Sequence, residues 1–258
     1  MPLQQVQNIA KTFDTIGLVD MDSVQLMNRV DTKFVFTLKD LEFLLPQLVE
    51  HYFVLDVNGV LLSEYESLYF DDAEFSSYHD HHKKKVNRFK VRYRKYVNSN
   101  LAFLEVKHKN KGRTEKSRTR VEDIPSEMSI EDFIFVKNAG ITSDAMSPSL
   151  MNSFSRITLV SKAMNERLTL DLNLTYTLKD KVEVIENIVI AELKQGKAMR
   201  NSPFYQLMKN NLIRPLKISK YTIGYIILYG LENTKYNRFK KKLLKIKKLQ
   251  EQCSQQLS

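Results

Sequence analysis

The chain has 258 residues, 43% hydrophobic and 27% charged, a composition that is globular and not disordered and leaves room for one large domain or two small ones. A net charge of +10 and a pI near 9.4 point to an anionic partner: nucleotide, polyphosphate, nucleic acid or membrane surface. One cysteine, Cys253, excludes a disulfide framework and a thiolate metal site; with no signal-peptide pattern and no apolar run of membrane-spanning length, a cytoplasmic protein is expected.

Val6, Ile9, Ala10 and Phe13 at helical spacing predict an amphipathic helix over 3–13, and Asp22 and Ser23 can cap a second over 23–28. Arg29 to Thr37 alternates as a strand, with Arg29, Asp31 and Lys33 on one face and Val30 and Phe34 on the other. Leu41, Leu44, Leu45 and Leu48 form the stripe of a helix over 39–50. Asn58-Gly59 between 53–57 and 60–62 signals a hairpin, and Ser63 to Phe70 reads as another strand. Residues 71–85 read as a polar loop. Its His79, His81 and His82 suit neither a helical i, i+4 pair nor a closed zinc site, so a solvated loop or a rim touching phosphate is expected.

The next strand organises the rest. In 88–96 the side chains of Arg88, Lys90, Arg92 and Arg94 share one face, while Phe89, Val91 and Tyr93 share the other. Same-face neighbours sit about 6.5–7 Å apart, and their mutual repulsion grows several-fold where the effective dielectric is low. Such a strand is a solvated edge or a wall of an anion site. The pattern recurs: Glu105, Lys107 and Lys109 lie opposite Leu104 and Val106, and Lys116, Arg118 and Arg120 alternate with Ser117, Thr119 and Val121. Arg167 and Asp171 lie opposite Leu168, Leu170 and Leu172; Glu192 and Lys194 lie opposite Ala191 and Leu193. Apolar backs with charged fronts predict a closed barrel with a charged lumen.

A turn is expected over 110–116, and the period becomes helical from Ile124 to Ser153, where Pro148 reads as the start of a short helix. Strands are expected at 154–161, 166–172, 182–186 and 188–194, a helix at 203–211, and a closing helix after Lys217-Ile218-Ser219-Lys220-Tyr221. The division is one domain over 1–232, with its first 28 residues packed outside, and a basic amphipathic tail over 233–258. That tail sets Lys240, Lys241, Lys242, Lys245, Lys247 and Lys248 around Phe239, Leu243, Ile246 and Leu249. It reads either as a solvated helix or as a contact for anionic lipid, polyphosphate or a membrane-protein partner.

Seven short motifs in order carry a family resemblance: Arg29-Val-Asp31-Thr-Lys33, Ser67-Leu-Tyr-Phe-Asp71, Lys90-Val-Arg92-Tyr-Arg94, Phe103-Leu-Glu105-Val-Lys107, Arg156 with Arg167 and Asp171, Ala191-Glu192-Leu-Lys194, and Ile218-Ser219-Lys220-Tyr221. Over about 25–230 the chain resembles the VTC domain, the polyphosphate polymerase domain of the triphosphate tunnel metalloenzyme (CYTH-like) superfamily. The resemblance implies an α+β fold, an eight-stranded antiparallel β tunnel closed as a barrel, with helices packed outside. It also implies Mn²⁺- or Mg²⁺-dependent transfer of the ATP γ-phosphate onto a polyphosphate chain. By that resemblance Lys33, Arg92, Arg94, Lys107, Lys116, Arg156, Arg167, Ser219 and Lys220 bind phosphate, with Arg92, Arg94, Lys107 and Lys220 catalytic and Glu192 the metal ligand. Asp31, Glu105 and Asp171 either join the metal or pair with cations.

Three departures stand out. The first strand lacks the alternating glutamates usual in the superfamily, which argues against a two-metal triphosphatase. Phe154 stands where a tyrosine is common. With no phosphate-sensing domain or membrane anchor in the sequence, a free-standing, bacterial-type protein is expected. The alternatives are a tunnel triphosphatase or polyphosphatase, a non-catalytic polyphosphate-binding module, and a single-stranded nucleic-acid binder. The last is disfavoured because the aromatics alternate away from the cations; no sequence-specific nucleic acid is expected.

Overall fold

The computed structural model describes residues 2–22, 30–111 and 113–254. In chain order its elements are α1 (Pro2–Ala10), β1 (Thr15–Ile16), α2 (Leu18–Asp22), β2 (Val30–Thr37), α3 (Leu38–Leu44), β3 (Tyr52–Leu55), β4 (Ser63–Asp71), α4 (Ser76–Lys83), β5 (Arg88–Tyr96), β6 (Leu101–Asn110) and β7 (Arg113–Val121). There follow α5 (Ile130–Asn138), β8 (Ser147–Ser161), β9 (Glu166–Leu178), β10 (Lys181–Ile185), β11 (Ile188–Gln195), α6 (Pro203–Asn210), α7 (Lys220–Tyr229) and α8 (Lys240–Ser254). The helix expected over 23–28 and the position of Arg29 lie outside the described residues.

The strands form one sheet in the order β2-β11-β9-β8-β4-β5-β6-β7, with β3 and β10 branching from β8 and β9. Every ladder on this path is antiparallel. The expectation of a closed eight-stranded barrel is corrected here: β2 and β7 are the two ends of the path, and no ladder joins them among the described residues. The alternation that suggested closure is equally satisfied by a sheet curled strongly enough to give a concave face, because period 2 fixes which side a residue takes and not whether the ends meet. Part of the β2 edge is covered instead by the segment before α7, whose Leu216 N–H donates to the Lys33 carbonyl at 2.7 Å.

The convex side packs in two blocks. Leu168, Leu170, Leu172, Ala191 and Leu193 meet α1, α3 and α6 in one core, and Val91, Tyr93, Leu104 and Val106 meet α5 in another. The concave side is charged over only half its length. Val35, Ile188, Ile190, Leu174 and Tyr176 occupy the other half and pack against Tyr221, Ile223, Tyr225 and Ile226 of α7, with Phe239 and Ile246 beside them. Helix α7 is therefore a stopper seated in the curl. Its Gly224 is required by this fit: a Cβ there would lie 2.3 Å from the Tyr176 ring.

Local departures have local causes. Pro46 cuts α3 short, and a 3-10 turn finishes it over 45–48. The Asn58-Gly59 turn forms with both residues at positive φ, but only Val57 and Val60 bridge across it; β3 pairs with β1 and β8 instead. The expected polar loop at 71–85 contains α4, started by Asp71 and Asp72, whose carboxylates accept from the backbones of Ser77 and Ser76. The expected helix at Pro148 is the start of β8, where Pro148 faces Phe70 at a register shift and needs no ladder donor. β7 begins at Arg113, earlier than expected, so β6 and β7 make a longer ribbon.

Candidate functional site

The open half of the concave face is a trough of about 800 Å³ lined by side chains from nine strands and from the segment leading into α7. It brings together every residue expected to bind phosphate: Lys33, Arg92, Arg94, Lys107, Lys116, Arg156, Arg167, Ser219 and Lys220, with Glu192 among them. Each arrives by strand parity or, for Ser219 and Lys220, as the N-cap and first residue of α7.

Three carboxylates organise the cations. Glu105, fully buried, accepts from Arg92 Nε at 2.9 Å and Nη2 at 2.6 Å, and pairs through its other oxygen with Lys116. Asp171 takes Arg156 in a fork at 2.5 and 2.9 Å and also binds Lys220. Glu192 lies 3.3 Å from Lys33 and 3.5 Å from Lys194. Burial alone would raise all three acids; the neighbouring cations override it and hold each well below the usual carboxylate range. Each carboxylate thus spaces two cations that would otherwise repel. Glu105 and Asp171 are saturated struts; the contacts of Glu192 are looser.

A second set has no carboxylate within ion-pair distance among the described residues. Arg94 is buried, donates to Ser67 Oγ at 3.1 Å, and lies over the rings of Tyr65 at 5.7 Å and Phe154 at 5.8 Å. Lys90 donates to Ser219 Oγ at 2.7 Å. Burial, then Lys33 and Arg88, push the Lys90 ammonium well below the usual lysine range. Arg92, then burial and Arg94, do the same to Lys107. Lys220 does not belong to this set, being paired with Asp171, yet burial still pulls it down to about 8. This free site is electrostatically unsatisfied, and an anion of several charges would relieve it.

Sequence reasoning missed parts of this arrangement. Lys90 and Lys109 line the trough, and the alternation of their strands already placed them on the cationic faces. The aromatics do not all turn away from the cations: Tyr65 and Phe154 stack beneath Arg156 at 4.7 and 5.1 Å, and Phe154 also underlies Lys220 at 4.3 Å. Phe154 thereby serves as a platform for cations where a hydroxyl was expected. Of the three histidines, His82 is tied to Asn237 at 2.6 Å, while His81 reaches the trough rim. Burial, with Lys90, Arg88, Lys242 and Lys109, pushes His81 down to about 2, so its imidazole is neutral.

Among the described residues no three His, Cys, Asp or Glu side chains gather as a metal cage. The donor set still fits a hard divalent ion of the kind that takes one or two carboxylates and fills the rest of its shell with phosphate oxygens and water. Glu192 is the carboxylate with loose contacts, and Asp31 lines the same wall.

The family profile described as the VTC domain matches residues 28–229. No curated protein matches the chain. Among solved structures, a Hippeastrum protein described as a candidate adenylyl cyclase with a dominant triphosphatase activity aligns at TM-score 0.50 and 14% identity, over 76% of this chain and 94% of that one. A candidate adenylate cyclase from Bacillus halodurans aligns at TM-score 0.48 and 13% identity, over 75% of this chain and 96% of that one. At such identities the first likeness speaks for the fold alone.

Proposed function

Because the chain belongs to the VTC domain family, we propose that it is an inorganic polyphosphate polymerase that binds ATP and a polyphosphate chain in the trough and moves the γ-phosphoryl group from one to the other. The observation that carries this reading is the cation set without carboxylates, buried Arg94 with half-buried Lys90 and Lys107, flanked by three acid-spaced cation pairs. A monoanion would leave most of that charge uncompensated; a triphosphate lying along the trough would not.

In the proposed reaction a terminal phosphate oxygen of the chain attacks the γ-phosphorus, the bond to the β-phosphate oxygen breaks, ADP leaves with that electron pair, and the chain grows by one unit. Arg92 and Arg156 bond Glu105 and Asp171 through Nε and Nη2, which sets their geometry before the substrate arrives and leaves their charge and remaining N–H groups for it. Arg94, Lys107 and Lys220 offer charge where the transferred group becomes most negative. A divalent ion, Mn²⁺ or Mg²⁺, would be held by Glu192 with Asp31 near it, and when bound supplies further charge neutralisation. Ser219 positions Lys90 and caps α7.

Incubating the protein with ATP, a divalent ion and a pyrophosphate primer tests the reading, with products resolved by length and free phosphate assayed alongside. Long chains with matching ADP are expected. Free phosphate alone would replace it with a triphosphatase; binding without either product would leave a polyphosphate-binding module.

A further inference from the structure

The charge of the trough does not stop at its rim. His81, at the rim, faces Lys90, Arg88 and Lys109 from the trough side and Lys242 from α8, all bearing on one imidazole. Burial, then Arg88 and Lys217, lowers the Lys109 ammonium, and burial, then Lys84 and Lys217, lowers that of Lys242. Ring contacts fix the junction: Phe239, one residue before α8, packs against His81 at 5.7 Å and His82 at 5.6 Å. The helix is held by burial of Phe239 and Ile246, so its lysine face cannot turn inward. Lys240, Lys241, Lys247 and Lys248 are exposed along it. Among the described residues of α8, Lys247 forms an ion pair with Glu251 at 3.8 Å, an exposed pair that solvent screens.

We propose that α8 is a docking rail for the stretch of a linear inorganic polyphosphate that overhangs the trough, reached past His81, Lys217 and Lys242. The inference rests on the trough holding the other part of the same chain. Charge complementarity and continuity with the trough select this occupant: a flexible line of closely spaced anions matches a line of lysines about 10 Å long from Lys241 to Lys248 at helical rise. A membrane would be met by the exposed lysines of α8 alone and would leave the packing of Phe239 against the trough-lining His81 unexplained.

Two ligands separate the rail from the trough: tripolyphosphate, short enough for the trough, and a polyphosphate of many tens of units. Affinities are measured by calorimetry for the full chain and for the combined variant Lys240→Gln, Lys241→Gln, Lys247→Gln and Lys248→Gln. A control removes equal charge elsewhere with Lys11→Gln, Lys179→Gln, Lys197→Gln and Lys209→Gln. The rail variant should lose about tenfold or more for the long chain, with a shallower salt dependence, and nothing for tripolyphosphate. Equal losses in rail and control variants, or no loss, would overturn the rail alone. So would loss of binding to phosphatidylserine vesicles with long-chain affinity intact. Failure of tripolyphosphate to bind the unmodified chain would remove the trough reading, and the rail with it.

Discussion

Arg92 and Arg94 are two residues apart on one strand face, yet their removal should have opposite structural consequences. Arg92 is half of a buried pair, and Arg92→Ala leaves Glu105 with Lys116 alone; a loss of about 3 kcal/mol is expected, read as a lower melting temperature. Arg94 makes no ion pair among the described residues and feels Glu105 only at longer range, after burial and Arg92, so Arg94→Ala should leave melting unchanged or raised while weakening tripolyphosphate binding more than tenfold. A large stability loss in Arg94→Ala would contradict its description as an uncompensated cation. The lysines give a pH signature. Lys220 sits at about 8 in the folded chain, and Lys90 and Lys107 lie well below the usual value, whereas the unfolded chain titrates near 10.4. Between these values the unfolded chain binds more protons, so stability of the free protein should rise from pH 7 to pH 9. Asp171 and Glu105 are depressed instead, and their contribution, present above about pH 4, is lost as the pH falls below it. Melting curves across pH, with and without tripolyphosphate, check the sign; the alkaline gain should shrink when the anion is bound.

At the scale of elements, α7 and its glycine connect packing to the site. Gly224→Ala would drive a methyl into the Tyr176 ring, and overpacking of this kind costs about 1–3 kcal/mol. Because Ser219 and Lys220 begin the same helix, phosphate affinity should fall together with melting temperature; a variant that melts normally would mean the helix has room to shift. The strands and their charged faces were legible in the sequence because parity is a local property: Lys33, Arg92, Lys107 and Glu192 could each be placed from their own neighbours, whereas Arg156 came only from the family resemblance. The stopper was not legible. Nothing in Val35 or Ile190 says that the apolar end of an otherwise charged face is covered by a helix thirty or more positions away. Helix α4 was hidden for a related reason: its signal is the pair Asp71 and Asp72 accepting backbone donors, inside a stretch whose composition reads as loop, and its buried Tyr78 and His82 are covered by the C-terminal segment.

The whole molecule couples ligand to stability through one charge imbalance. Occupancy of the trough at a hundredfold excess over Kd should raise stability by about 2.7 kcal/mol, and added salt should reduce the gain, since screening weakens both the repulsion in the free protein and the attraction to the anion. A thermal shift that survives high salt unchanged would point to binding elsewhere. No helix among the described residues is long and apolar enough to cross a membrane. The failure of β2 and β7 to pair has a consequence for the shape of what can be held. A ring accepts a thread only end-first, so its cargo must have a free end and must be pulled along its whole length. A slot accepts a thread laid in from the side, at any point along it. Under the proposed function, a long chain would be laid into this slot from the side wherever the segment before α7 leaves the gap between β2 and β7 uncovered.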